Sequence, residues 1–438
     1  MAIRPSHCRK PLALALSLAA TQCGGGSESD SGHPPDRHGF GGIMVYWNTD
    51  LRVVEDVSLR PRTVVAAVIG LSIAERLSID DQGIAVSALP QPVGSRCDGR
   101  TPVALVACDV DGDEKRDVFV HDPCGSYVVL DVLGTAPKAT NAAEYFPNDN
   151  AYPFLEVNES DPDRPTLVQG MLFSYSFYGP DADGSRWNML ATLSADPWPT
   201  AELTRGTVPA DRPGLWLVQE RTALMVVSIS GDAEPEIRRF VQREIKPPYV
   251  VPFDTFDHLD FLGSGTCGTV AIGVSQFEDA PNAPRSAILL TLPEDGGQSE
   301  GFEAEEVIAG GEVVTVAAGR LDEAERMVLG VLINEDDSFV FEAYEYVLCG
   351  SLRRMGRQRV DFDVRHVPTP GYYESSERPF TNGVKLAALA DKEARTVVFV
   401  HYDGYDVRRF TVVVSGAAWT ISERIDHVHD TRSDLSVP

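Results

Sequence analysis

The chain has 438 residues, 43% of them hydrophobic, which is enough to bury a large core and too apolar for disorder throughout. Lys plus Arg number 38 against 65 Asp plus Glu, a net charge of −27, and a surface that acidic repels nucleic-acid phosphates and anionic lipid headgroups. Nucleic acid is thus excluded as a partner, and no apolar run beyond the first twenty residues is long enough to cross a bilayer.

The chain begins "MAIRPSHCRKPLALALSLAATQCGGGSESDSG". Arg4, Arg9 and Lys10 make a basic start, Pro11 to Ala20 a short apolar stretch, and small residues follow, the three-part shape of a secretory signal. Cys23, followed by three glycines and a Ser-rich tract, looks like a bacterial lipoprotein cleavage site, although Ala20 and Gln22 depart from the usual residues there. The expectation is a signal peptide over 1–22, diacylation of Cys23, and a disordered Gly/Ser linker over 23–42. The body would then be exported to the bacterial cell envelope, tethered to the outer membrane by lipid alone. Simple secretion after cleavage near Ala19 or Ala20 is the alternative. With Cys8 removed and Cys23 acylated, Cys97, Cys108, Cys124, Cys267 and Cys349 remain. Five is odd, and the sequence does not choose a pair, although a bridge among Cys97, Cys108 and Cys124 would suit an oxidising compartment.

From residue 43 onward one pattern returns: a short strand, a polar turn of about nine residues, then a strand rich in Val, Leu and Phe. It is read in "VSLRPRTVVAAVIG", "ACDVDGDEKRDVFV", "VNESDPDRPTLVQG", "TVPADRPGLWLVQE", "LDFLGSGTCGTVAIGV", "AGRLDEAERMVLGV" and "ALADKEARTVVFVH". The first apolar residues after the turns are Val64, Val118, Leu167, Leu215, Val270, Met327 and Val397, spaced 48 to 70 residues apart. Self-similarity at that period signals a repeat architecture. Each unit has room for three or four antiparallel strands, and no long stretch shows helical periodicity. The expected fold is all-β, a single seven-bladed β-propeller over 43–430 with a C-terminal tail over 431–438; two β-sandwiches are the rival. Radial packing would bury both faces of every sheet, which accounts for continuous apolar runs such as "TVVAAVIG".

The second repeat is the most chemically pointed. In "VALVACDVDGDEKRDVFVHD" four aspartates, Asp109, Asp111, Asp113 and Asp117, stand within nine residues. Calcium takes six to eight oxygen ligands, and four carboxylates this close repel unless a cation or protons neutralise them. Asp109, Asp111 and Asp113 can converge, with the backbone carbonyl of Lys115 and the carboxylate of Asp117 completing a cage for one structural Ca2+. An ordinary acidic hairpin turn is the alternative. This stretch resembles the FG-GAP and VCBS-type repeats of integrin α-chain propellers and bacterial surface proteins, whose D-x-D-G-D-G-x-x-D loop lies between the first two strands of a blade. The resemblance is specific in this repeat and degenerate in the other six. It departs at the sixth loop position, where Glu114 replaces the usual glycine.

The remaining acidic turns lack the ligand set: Asp161 and Asp163, Asp322, Glu323 and Glu325, and Asp391 and Glu393 are expected in structural turns. "YGPDADGSRW", with Asp181, Asp183 and Gly184, lacks a closing carboxylate and is expected to be a hairpin connection. Toward the C-terminus, His427 and His429 beside Asp426 and Asp430 lack a third strong ligand, so a surface pair is expected rather than zinc or copper. His121, His258 and His401 are expected at sheet ends. "GSGTCGT" is not a nucleophile elbow, and its glycines suit a tight hairpin. No nucleophile triad, phosphate loop or dinucleotide fingerprint is present in the sequence. The expected function is a non-catalytic binding or scaffolding module for a protein or glycan. The alternative is a propeller enzyme, resembling a polysaccharide lyase or glycoside hydrolase, with its site in the central channel.

Overall fold

The computed structural model describes most of residues 49–428, with gaps mainly at connections: 55–61, 69–73, 93–103, 122–125, 147–153, 159–164, 195–214, 230–235, 242–254, 277–284, 294–302 and 361–384, together with shorter ones. Residues 1–48 and 429–438 lie outside the described residues, and with them the signal peptide, Cys23, the linker, His429 and the tail.

The described chain is a succession of antiparallel meanders. Blade 1 is β1 (Thr49–Val54), β2 (Arg62–Val68), β3 (Glu75–Ile79) and β4 (Ile84–Ala88). Blade 2 is β5 (Ala104–Cys108), β6 (Asp117–His121), β7 (Tyr127–Leu130) and β8 (Lys138–Asn141), followed by a single 3-10 turn at Ala142–Glu144. Blade 3 is β9 (Phe154–Asn158), β10 (Thr166–Met171), β11 (Ser174–Pro180) and β12 (Trp187–Ser194). A three-stranded sheet follows: β13 (Leu215–Glu220), β14 (Ala223–Ser228) and β15 (Glu236–Val241). Blade 4 is β16 (Thr255–Gly265), β17 (Gly268–Gln276), β18 (Ala287–Leu292) and β19 (Glu303–Ile308). Blade 5 is β20 (Glu312–Arg320), β21 (Arg326–Glu335), β22 (Ser338–Val347) and β23 (Leu352–Val360). Blade 6 is β24 (Ala387–Asp391), β25 (Thr396–Tyr402), β26 (Asp406–Ser415) and β27 (Ala418–His427).

The fold is an all-β propeller, and the blade count corrects the sequence expectation. Six four-stranded blades are present among the described residues, not seven. In each of the six, the first apolar residue after the repeated turn lies on the second strand: Val64, Val118, Leu167, Val270, Met327 and Val397. Leu215 instead opens the three-stranded sheet and pairs with Ser228 of the strand after it. The repeated turn reports a hairpin, and a hairpin signal does not by itself specify four strands: among the described residues this sheet has three.

Packing follows from the period of two along a strand. Val64 and Ala66 of β2 join an apolar cluster with Leu389, Val400 and Tyr402 of blade 6. Their neighbours Val65 and Ala67 face the other way, onto Leu105, Val118 and Val120 of blade 2. Phe119, between Val118 and Val120, turns to Leu167, Tyr178 and Trp187 of blade 3. The inner strands β2 and β6 are thus buried on both faces, and their continuous Val-rich runs are what this arrangement requires. The three-stranded sheet packs in the same way on blade 3, through Trp216 and Val227 against Phe177 and Val168.

The first and last blades meet without exchanging a strand, since β1–β4 and β24–β27 are each consecutive in the chain. Their seam is closed by side chains. Tyr402 donates to the Glu75 carboxylate, Arg62 pairs with Asp391 at 3.1 Å, and Arg409 and Arg424 donate to the carbonyls of Asp80 and Gln82.

Candidate metal centre

The acidic repeat forms the turn between β5 and β6, as expected. Its backbone is wound around its own carboxylates. Asp109 accepts N–H bonds from Gly112 and Glu114, both at 2.8 Å; Asp111 accepts from Asp113 at 3.2 Å. Gly112 has φ +77° and Glu114 φ +65°. Position 114 is therefore left-handed, where a glycine is free and a side chain costs about 1–2 kcal/mol.

Asp109, Asp111 and Asp117 each present a carboxylate oxygen, and the three oxygens lie within 4.8 Å of one another. Oxygens bound to calcium at about 2.3–2.6 Å are at most about 5 Å apart, so this triangle fits a single ion. Asp113 stands outside the group of three; its carboxylate takes the Lys115 ammonium at 2.6 Å and the Lys115 N–H at 3.0 Å.

Asp117 opens β6 at 1% exposure. One oxygen accepts the Val110 N–H at 2.9 Å and the other the Asp131 N–H at 2.8 Å, tying the turn to the β7–β8 connection. Each oxygen keeps a second lone pair. Burial pushes its pKa up to about 7 against those two hydrogen bonds, and the charges of Asp111 and Asp109 add to the rise. Burial and then the charge of Asp113 raise Asp111. Asp113 moves the other way, held down by its hydrogen bond to Lys115. The three clustered carboxylates thus crowd negative charge that a cation would relieve, which is the chemical test the donor set passes.

The centre sits at the seam between blades 2 and 3. The Trp187 indole N–H, opening β12, donates to the Val110 carbonyl at 2.9 Å across 77 residues of sequence. Trp187 is stacked on Phe146 at 5.8 Å and is itself 1% exposed. A Cβ added at Gly112 would lie 3.5 Å from the Gly184 backbone, so the two turns lie glycine to glycine. Tyr145, whose carbonyl accepts the Trp187 N–H, has its phenol raised by burial and then by Asp111. Trp187 and Tyr145 carry no local sequence signal that ties them to the turn.

The other sequence candidates have structural roles among the described residues. "YGPDADGSRW" is the β11–β12 hairpin, closed by Asp181 and Arg186 through their backbones at 2.7 Å. Asp391 caps a turn at the Ala394 N–H. His427 is 76% exposed and bonded to Asp406 at 2.6 Å, while Asp426 is taken by Arg409 and Arg424. His121 is buried at the end of β6, 3.0 Å from the Ser126 hydroxyl, and burial lowers its pKa to about 4. His401 is buried with Nδ1 3.0 Å from the Lys385 carbonyl. "GSGTCGT" is the β16–β17 hairpin, and Cys267 within it is bridged to Cys349. Cys108 is buried beside Val110; Cys97, Cys124, Asp161, Asp163, Asp183, Asp322, Glu323 and Glu325 and the His258 side chain lie outside the described residues.

No protein-family model and no curated protein matches the chain. Among solved structures, a protein of unknown function from Desulfotomaculum acetoxidans is similar at 12% identity, covering 85% of this chain and 98% of that one with a TM-score of 0.47. A candidate 6-phosphogluconolactonase from Bacteroides fragilis is similar at 10% identity, covering 87% and 96% with a TM-score of 0.44. One from Bacteroides uniformis is similar at 10% identity, covering 87% and 97% with a TM-score of 0.42. At these scores the likenesses carry no argument about activity, and the propeller stands on its own sheet order.

Proposed function

We propose that this protein is an exported, lipid-anchored β-propeller, stapled by calcium, that binds a protein or glycan at the cell envelope. The observation that carries the calcium is the triangle of Asp109, Asp111 and Asp117. Those three would hold the ion, with the Lys115 carbonyl and, on rotation away from Lys115, Asp113. Bound there, calcium neutralises the carboxylates and stiffens a turn already joined to blade 3 by Trp187. Extracellular sites of this kind bind on the order of 0.1–1 mM, a concentration the medium supplies. The binding role is supported by topology. Antiparallel order sends the first and third turns of each blade to one face and the blade-to-blade connections to the other. The ends of β23 and β24, joined by 361–386, therefore lie opposite the metal turn, on the face offered to a ligand.

A second reading places chemistry in the central channel, and it is favoured by two buried charged residues on innermost strands, Arg52 of β1 and Asp260 of β16. One pair of experiments separates these. Thermal melting in chelator and in millimolar calcium, on the parent and on Asp109→Ala, is expected to show a calcium-dependent rise in the parent alone; equal melting points retire the staple. Retention on a glycan array or capture of one envelope protein supports the binding role. Turnover of glycosides, polyuronides or sugar lactones, lost in Asp260→Asn, replaces it with the enzyme.

A further inference from the structure

Cys267 and Cys349, 82 residues apart, form a disulfide between the β16–β17 turn of blade 4 and the β22–β23 turn of blade 5. Both cysteines are half-buried and lie at the margin of the apolar seam of these blades. That seam itself is built from Leu262, Val270 and Ile272 against Val316, Leu329 and Leu348. The β16–β17 turn is cut back at Gly265 beside the bridge. A Cβ on Gly265 would lie 2.8 Å from the Cys349 sulfur. The Cys267 N–H points at the Cys349 sulfur at 3.1 Å. Cys349 is a non-glycine residue in the left-handed region, at φ +57°.

We propose that the Cys267–Cys349 bridge is a redox-operated clasp between neighbouring blades, opened by a dithiol reductant while the propeller stays folded. The thiolate of the reductant attacks one sulfur, breaking the S–S bond and forming a mixed disulfide. Its second thiol then displaces the protein sulfur, so the reductant loses two electrons as a disulfide and Cys267 and Cys349 gain them as two thiols. The two cysteines are only partly buried, which gives a small dithiol access, and the apolar seam they pack against is built from other residues and keeps the blades together. Release frees the two turns on the metal-bearing face and leaves the strands paired.

The test is native-state reduction of the full chain with millimolar dithiothreitol, followed by thiol alkylation, mass mapping and amide hydrogen exchange. Alkylation at Cys267 and Cys349 without loss of the melting transition is expected. Exchange at the turn residues 266–267 and 348–351 should rise on the order of tenfold, with the strands of blades 4 and 5 unchanged. The Cys267→Ser, Cys349→Ser double variant should reproduce that pattern and no longer respond to reductant. Reduction that occurs only in denaturant, exchange that rises across both blades, or exchange unchanged at the two turns would each overturn the clasp.

Discussion

Two seams on the same face solve one problem with different chemistry. Between blades 2 and 3, the first turn of one blade meets the third turn of the next through the Val110 carbonyl, the Trp187 indole and two apposed glycines. Between blades 4 and 5, the same pair of turns is joined by a covalent bond from Cys267 to Cys349. Neighbouring blades are not joined by a strand ladder, only by isolated backbone bonds such as Trp187 to Tyr145 and Val313 to Arg285, so the seam is secured largely by side chains. The first seam rests on hydrogen bonds beside a cluster of titratable carboxylates and so depends on pH. The second responds only to electrons. The difference shows that position in the blade fixes where a staple is needed and leaves its chemistry open.

The comparison is broken most severely at Trp187. Trp187→Ala removes a buried ring stacked on Phe146 together with the bond to Val110, and a loss of about 3–5 kcal/mol is expected in urea titration. Trp187→Phe keeps most of the ring and strands the carbonyl, for about 1–3 kcal/mol. Opening the other seam with the Cys267→Ser, Cys349→Ser variant should cost about 2–5 kcal/mol in the same titration, since the bridge closes a loop of 82 residues. When the two are combined the losses should add, because the seams share no residue.

A pH series sharpens the contrast within blade 2. His121, at the far end of β6 from Asp117, has its pKa lowered from 6.5 to about 4 by burial. The unfolded chain therefore binds this proton first, and the stability the group contributes is full above about 6.5 and lost as pH falls to about 4. The parent should lose up to about 3 kcal/mol over that window relative to His121→Gln. Asp117, raised by burial to about 7, has the opposite sign: its contribution is full below about 4 and lost as pH climbs to about 7 in the absence of a cation. The smallest effect belongs to Asp113→Ala. Its carboxylate is exposed and holds an exposed lysine, so the calcium-free melting point should not move. A lowered apparent calcium affinity in this variant would show Asp113 rotating onto the ion.

Much of this was legible in the chain. The Val-rich runs and recurring turns identify radial sheets, because burial on both faces removes the polar alternation of a half-exposed strand. The aspartates at alternate positions identify an acidic hairpin, and the glycines of "GSGTCGT" a tight one. The blade count was not legible, because Leu215 follows a turn sequence like that before Val270 and yet, among the described residues, stands on the first strand of its sheet. Nor was the division of labour among the aspartates, where Asp117 joins the triangle and Asp113 turns to Lys115.

What the sequence by itself determined is local: period-two apolar patterning, turn residues, and a density of carboxylates that demands neutralisation. Only the tertiary structure decided which of the odd set of cysteines met, and that an indole 77 residues away would close the acidic turn. The reason is physical. Patterning depends on neighbours along the chain, while a staple depends on which turns the ring brings side by side.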